Sequence, residues 1–139
     1  MRAKYDVSCV YMNAVSDVDD ETLMSAIETL LKNNCFIEGR KNFINIANGV
    51  LLLVRSMDQG ENVVGLFKKV SDRLDGIRSS KNIERSIRSA LKGAWNRAEK
   101  RNVFDDTSLL STYASIPRSK DFLRGVAEDV IEKFAREKK

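Results

Sequence analysis

Histidine is absent from this chain of 139 residues, and cysteine occurs only twice. Without histidine, the usual zinc sites and the Cys/His and Ser/His pairs of nucleophilic enzymes are excluded. Cys9 and Cys35 lack CxxC spacing and are expected to be reduced, partly buried thiols, with a contact between subunits as the alternative. The chain also has no phosphate-binding glycine loop. We therefore predict no enzymatic activity, no metal site and no cofactor.

Long apolar runs are absent as well. The most apolar stretch, residues 49–54, is ended by Arg55 and falls short of the roughly 18 to 20 apolar residues of a membrane span. The N-terminus has no charged and then apolar leader with a small-residue cleavage site. Hydrophobic residues still make up 42% of the chain, enough for one domain with a real core. These features predict a cytoplasmic protein with no membrane partner.

A single proline leaves the chain free to be helical nearly throughout. Apolar residues recur at intervals of three and four, which predicts an all-α, compact domain of about five to six helices around a central helix-turn-helix. Helices are predicted after Ser16 as far as Asn33 and Asn34, over about Arg40–Arg55, over Glu61–Leu74 with Val64 inside, over about 81–98, and after Pro117 with Ser119 as cap. Residues 1–16 fit a strand or an irregular arm, and residues 102–116 fit a short helix or a packed loop.

The first 35 residues are acidic, with three Lys or Arg against six Asp or Glu, a net charge of −3. Their helix carries an apolar stripe made of Leu23, Met24, Ile27, Leu30 and Leu31. Because such a stripe needs burial, residues 1–35 are expected to pack, as an N-terminal arm and acidic helix, on a domain formed by residues 36–139. A dimer contact, or shielding of the basic helix within the same molecule, are the alternatives.

Positive charge is concentrated in one segment. The whole chain has a net charge of +4, whereas residues 78–101 contain eight Lys or Arg and two Asp or Glu, a local net charge of +6. Such a local excess favours a polyanionic partner such as nucleic acid. The ordinary alternative is a solvated helix face.

The same segment has the pattern of an amphipathic helix. Its apolar positions are Ile83, Ile87, Ala90, Leu91, Ala94, Trp95 and Ala98, and Trp95 is expected to belong to the core. Its polar positions are Lys81, Asn82, Arg85, Arg88, Ser89 and Lys92. In the preceding turn, Gly76 suits a left-handed helix end, and Ser79 or Ser80 can cap the next helix. A short helix, a glycine-bearing turn and a basic helix are the parts of a helix-turn-helix, although helical hairpins that do not bind DNA share them.

The residues of this helix carry a resemblance to a known family. Residues 82–91, Asn-Ile-Glu-Arg-Ser-Ile-Arg-Ser-Ala-Leu, followed by Ala94-Trp95, resemble the recognition helix of the C-terminal effector domain of the stage zero sporulation response regulator. In that family Val-Glu-Arg-Ala-Ile-Arg-His-Ala-Ile precedes an Ala-Trp pair. The similarity extends upstream to residues 39–43 and downstream to residues 117–122 with Val126-Ala127, and it covers roughly residues 36–135.

The resemblance implies a sequence-specific regulator of transcription that binds double-stranded DNA. Members of the family recognise short promoter sites, often as tandem copies bound by adjacent molecules, so self-association on DNA is implied as well. The family's receiver domain has no counterpart here, because 139 residues leave no room for a receiver of roughly 120 residues beside the effector. A stand-alone effector domain without phosphorylation control is therefore expected.

The resemblance also implies which side chains contact DNA. Glu84, Arg85 and Arg88 match groove-facing positions, and Ser89, where the family has histidine, joins them as the fourth base-contacting residue. The arginines would donate to guanine, and Glu84 would accept from cytosine or orient an arginine. The residues expected to hold phosphates are Arg78, Ser79, Ser80, Lys81, Asn82 and Lys92.

Two alternatives stay open. Glu84 and Arg88 are four residues apart and can form an ordinary ion pair along the helix. The helix-turn-helix could also be a protein-interaction module or an antagonist of a larger regulator, with its basic face against an acidic partner. The turn before the basic helix is about two residues longer than in the family, and together with Ser89 this predicts a different operator.

Overall fold

Five α-helices form the computed structural model, which describes residues 13–39, 41–61, 64–74, 79–101 and 109–137. The helices are α1 (Asp20–Asn33), α2 (Lys41–Asp58), α3 (Leu66–Arg73), α4 (Ser80–Arg101) and α5 (Ser119–Glu137), and a 3-10 turn covers Leu109–Thr112. No strand occurs within the described ranges, so the all-α prediction is confirmed. Residues 13–18 form turns and bends, and the rest of the predicted strand or arm lies outside the described residues, as does Cys9.

The ends of α1 follow from local chemistry. Asp19 is the N-cap, and its carboxylate accepts a hydrogen bond of 2.7 Å from the backbone N–H of Thr22. Hydrogen bonds from Thr22 also hold the pKa of Asp19 below its usual value. At the other end, Asn34 is the C-cap and Cys35 has a left-handed φ of 68°. The predicted stop at Asn33 and Asn34 is confirmed, and the Cys35 thiol is free and half-buried.

Four predicted boundaries differ from the structure. Helix α4 continues past residue 98 to Arg101. Helix α2 continues past Arg55 to Asp58. Helix α3 begins at Leu66 rather than Glu61, because Gly65 before it has a left-handed φ of 66°, which a helix running through it would not allow. Val64 is consequently 79% exposed instead of inside. Ser119 is the first helical residue of α5 rather than its cap.

Helix α2 lies at the centre and contacts each of the other four helices. Its buried apolar side chains are Phe43, Ile46, Ala47, Val50, Leu51, Leu53 and Val54. These side chains belong to a single cluster that runs from Ala14 to Ile131. The ring of Phe36, three residues after α1, stacks on that of Phe122 in α5 with centroids 5.4 Å apart. The described residues therefore share one core, which supports the positions of α3 and α4.

The acidic helix α1 packs against α2 and α5. Leu23, Ile27 and Leu31 of its stripe are fully buried, whereas Met24 and Leu30 are partly buried. Helices α2 and α5 therefore cover the apolar stripe of α1, with three of its five side chains fully buried.

A guanidinium group attaches α1 and the turn before it to α2. Arg55 of α2 donates to the carbonyl oxygens of Val15, at 2.7 Å, and Val18. The same group pairs with the Asp20 carboxylate at 2.7 Å. None of the described helices has both the length and the apolar character that a membrane span needs.

Candidate nucleic-acid interface

The predicted helix-turn-helix region corresponds to α3 and α4, which pack on each other and on α2. Helix α3 buries Leu66, Phe67 and Val70. Helix α4 buries one side along its length, through Ile83, Ile87, Leu91, Ala94 and Ala98. The turn at 75–78, with the predicted glycine end at Gly76 and the predicted phosphate contact Arg78, lies outside the described residues. A short helix and a long helix are thus packed in the expected order.

Ser79 caps α4. Its hydroxyl oxygen accepts a hydrogen bond of 3.2 Å from the backbone N–H of Asn82, so of the two candidate serines Ser79 takes this role. Ser80 is the first helical residue and is half-buried, whereas Ser79 and Asn82 are exposed. An exposed helix N-terminus is a favourable place for a phosphate oxygen.

Four cations lie in line on the outer face of α4. Lys81, Arg85, Arg88 and Lys92, which we term the basic stripe, are all exposed. Their spacing of four, three and four residues keeps them within a narrow arc of the helix surface over about 16 Å of helix length. Lys81, Arg85 and Lys92 form no ion pair with any described residue. The stripe therefore presents charge that the described protein leaves uncompensated.

The remaining predicted base contacts flank the stripe. Glu84 lies on one side, and its carboxylate is 3.6 Å from the Arg88 guanidinium, so the ion pair along the helix forms. Both side chains stay well exposed, at 46% and 67%, which leaves either group accessible to a ligand. Ser89 and Asn82 lie on the other side, and both are exposed.

A buried polar cluster beneath α4 escaped the sequence analysis. The Ser86 hydroxyl accepts a hydrogen bond of 3.0 Å from the Asn45 amide and donates one to the Asn42 amide oxygen. Asn45 and Ser86 are buried, at 3% and 8% exposure. The one signal in the sequence was that asparagines occupy core-facing positions beside Phe43 and Ile46 of α2. Because these hydrogen bonds join α2 to α4, they fix which face of α4 points outward.

Trp95 lies at the edge of the core rather than within it. It is half-buried and packs against the core cluster, and it also lines a cleft of about 780 Å³ beside the basic stripe. The cleft separates α4 from the segment that leads into α5. The predicted core role of Trp95 is thus only partly met, because Ile116 and Pro117 approach its exposed side without closing over it.

Comparison of the chain with protein-family models, curated proteins and solved structures finds no match. Within the described residues, no group of three or more acidic or cysteine side chains is placed to hold a metal ion. What the protein binds is therefore inferred from its own surface.

Proposed function

We propose that this protein binds double-stranded DNA sequence-specifically, with α4 inserted in the major groove. The observation that carries the proposal is the basic stripe, four exposed cations on one face of a 22-residue helix whose opposite face is buried. A major groove about 12 Å wide admits an α-helix and displays a distinct pattern of donors and acceptors for each base pair.

The residues of α4 divide by chemistry. Arg85 and Arg88 carry the planar guanidinium fork that matches the O6 and N7 acceptors of guanine. Lys81 and Lys92, at the ends of the stripe, are flexible point charges suited to phosphates on either side of the groove. Glu84, paired with Arg88 in the free protein, either keeps that arginine in position or accepts from a cytosine amino group.

The structural context of α4 supports direct readout of bases. Five buried apolar side chains and the Ser86 hydrogen bonds hold the helix at a fixed rotation, so the guanidinium groups start from a defined position. Ordering a helix on binding would cost conformational entropy, and a helix already packed on a core avoids that cost.

The resemblance to the sporulation effector domain points to the same class of partner. It extends the proposal to regulation of transcription at promoter sites, with neighbouring molecules on tandem copies of the site. Which of activation or repression results would depend on where the site lies relative to the promoter.

The test is selection of duplex oligonucleotides from a random pool at about 0.15 M salt. Wild type is compared with Arg85→Ala and Arg88→Ala, and with Arg124→Ala, which removes an exposed arginine of α5 away from the stripe. We expect wild type and the control to select one motif, and each stripe variant to lose preference at a particular base pair by about 1 to 3 kcal/mol.

Failure to select any motif, with residual binding that disappears as salt rises, would reject direct readout. The basic face would then be assigned to an acidic protein partner, as in the protein-interaction alternative. Equal motif loss in Arg124→Ala would show that the stripe has no special part in recognition.

A further inference from the structure

The cleft beside the basic stripe has an apolar interior that nothing in the described chain covers. Leu91 and Phe67 are buried beneath it, and Trp95 and Pro117 line it as half-buried side chains. Ile116 is 43% exposed, one of only four large apolar side chains that are at least 40% exposed among the described residues. A ring or short hydrocarbon placed here would bury apolar surface on both partners.

Cations lie on both sides of this interior. Arg88 and Lys92 line the cleft from α4, and on the other side Arg118 precedes α5 and Lys120 lies in its first turn. All four are exposed, and the Lys120 ammonium lies 5.7 Å from the centroid of the Phe67 ring, within the range of a cation–π contact. The apolar interior therefore meets positive charge on both sides.

The acidic residues of the cleft do not cancel this charge. Glu84 and Glu99 also line it, against four cations, and Glu84 is already paired with Arg88. The remaining excess favours a ligand with negative charge. Its volume of about 780 Å³ lies in the ordinary range for small-molecule sites, which are apolar clefts with a few well-placed polar groups.

We propose that the cleft binds a small anion with an apolar or aromatic body, and that this ligand competes with DNA. The anionic group is a carboxylate, sulfonate or phosphate. It pairs with Arg118 and Lys120 and is also attracted by Arg88 and Lys92. The apolar body of the ligand packs over Trp95 and Ile116. Glu84, Arg88 and Lys92 belong both to the cleft and to the surface assigned to DNA. A bound ligand therefore makes Arg88 and Lys92 of the basic stripe unavailable to DNA. This competition rests on the proposed DNA binding.

Occupancy can be measured without DNA, because Trp95 is the single tryptophan of the chain and lines the cleft. The probe is anilinonaphthalene sulfonate, an aromatic anion whose fluorescence rises in apolar surroundings. We expect saturable binding of one probe per chain, with quenching of Trp95 and energy transfer from it to the probe.

The test variant reverses the two cleft cations at the start of α5, Arg118→Glu with Lys120→Glu. Its matched control is Lys69→Glu with Arg124→Glu, which makes the same charge change at exposed positions outside the cleft. The test variant is expected to weaken binding at least about tenfold and the control to change it little, since only cleft charges lie close to the anion. Equal loss in both variants, or none in either, would overturn the cleft site. Circular dichroism spectra of the test variant and the control are compared with that of wild type to check that both variants are folded.

A second measurement examines competition. The probe should lower the affinity of wild type for its selected duplex, and the test variant should resist this effect at the same probe concentration. Probe binding at the cleft without any change in duplex affinity would overturn the competition alone. If no duplex is selected at all, the proposed function fails, while the Trp95 titration still decides whether the cleft binds anions.

Discussion

Single side chains on the buried and outer faces of α4 determine which way its basic face points and what that face can bind. Ser86 is small and polar, and its hydroxyl serves as both acceptor and donor between Asn45 and Asn42. An apolar residue at this position would fill similar space without satisfying the buried amide of Asn45. Burial of an amide is tolerated only when it is hydrogen-bonded, so this position couples the stability of the protein to the orientation of its basic face.

Ser86→Ala is expected to destabilise the protein by about 1 to 3 kcal/mol, because it leaves the buried Asn45 amide without its partner. Urea denaturation followed by circular dichroism measures the change. Ser89→Ala, an exposed serine of the same helix, is the control and should stay within about 0.5 kcal/mol of wild type. Equal effects of the two substitutions would contradict a role for the buried cluster.

Glu84→Ala separates the two roles of that carboxylate. Stability should fall by at most about 0.5 kcal/mol, the value of an exposed pair along a helix. Removing a negative charge beside the stripe should strengthen binding to random duplex DNA while reducing the ratio of specific to non-specific affinity. Fluorescence anisotropy with specific and random duplexes measures both. Glu99→Ala removes an exposed acid about two turns beyond Lys92, the last residue of the stripe, and should leave the ratio unchanged.

Asp19 gives the start of α1 a dependence on pH. Its pKa is lowered in the folded state by hydrogen bonds from Thr22, so its stabilising effect is present above the unfolded pKa, about 3.9, and is lost as pH falls through the folded value. Asp19→Asn keeps a capping oxygen that does not titrate. In thermal unfolding, wild type should therefore have a higher melting temperature than the variant at neutral pH. This difference in melting temperature should disappear below about pH 4. The control is Glu61→Gln, which replaces an exposed acid outside the described helices. Its difference in melting temperature from wild type should not depend on pH in this way.

At the scale of elements, α1 depends on contacts that lie far apart in the sequence. Arg55 of α2 binds two carbonyl oxygens of the turn before α1 and the Asp20 carboxylate within it. Asp58 accepts from the Val15 backbone N–H, with both carboxylate oxygens at 3.3 Å. One turn of α2 thus supplies both a donor, Arg55, and an acceptor, Asp58, for hydrogen bonds to the turn before α1.

Arg55→Ala is expected to cost about 1 to 3 kcal/mol, because it removes charged hydrogen bonds to two backbone carbonyl groups. The loss should be local, so hydrogen exchange should accelerate more in α1 than in the buried part of α5. Arg55→Lys is the matched variant: it retains the charge opposite Asp20 but cannot bind both carbonyl oxygens at once, and an intermediate effect is expected. Uniform acceleration across the whole chain would contradict local attachment.

For the whole molecule, the unequal distribution of charge matters more than its total. The first 35 residues have a net charge of −3 and residues 78–101 have +6, although the sum over the chain is only +4. Asp20 of the acidic helix lies near Arg55 and Arg73, at 2.7 and 3.8 Å, and the basic stripe has no such partner among the described acids except Glu84. The acidic helix therefore neutralises cations other than those assigned to DNA.

Duplex affinity should fall with salt as expected for about two neutralised phosphates, with a slope of about −2 in the double logarithmic plot if Lys81 and Lys92 both contact phosphates. Lys81→Ala should reduce the magnitude of that slope by about 1, and Arg124→Ala should leave it unchanged. Filter binding or anisotropy across a range of salt concentrations gives the slopes. A slope that is the same for both variants would contradict the assignment of DNA to the stripe.

Much of this molecule is determined by its sequence, because helix formation and amphipathicity are local properties. Apolar spacing predicted the helical class and the buried faces of α2 and α4, and side-chain caps predicted the stop of α1 after Asn33 and the serine start of α4. The alignment of four cations along α4 follows directly from spacings of three and four residues. Base contacts, phosphate contacts and the sporulation resemblance stay predictions.

Only the tertiary structure decided what depends on distant partners. The pairing of Ser86 with Asn45 spans 41 residues, the Arg55 contact with Val15 spans 40, and the cleft joins Arg88 to Arg118. The core-facing asparagines of α2 were the only local sign of such a contact, and they did not identify its partner, because the pattern around a polar residue is the same whether water or another helix satisfies it. Even the late start of α3 follows a single glycine, Gly65, whose left-handed conformation the apolar spacing did not indicate. Local periodicity therefore determined the helices and their faces, and packing determined how those faces meet and what they leave open.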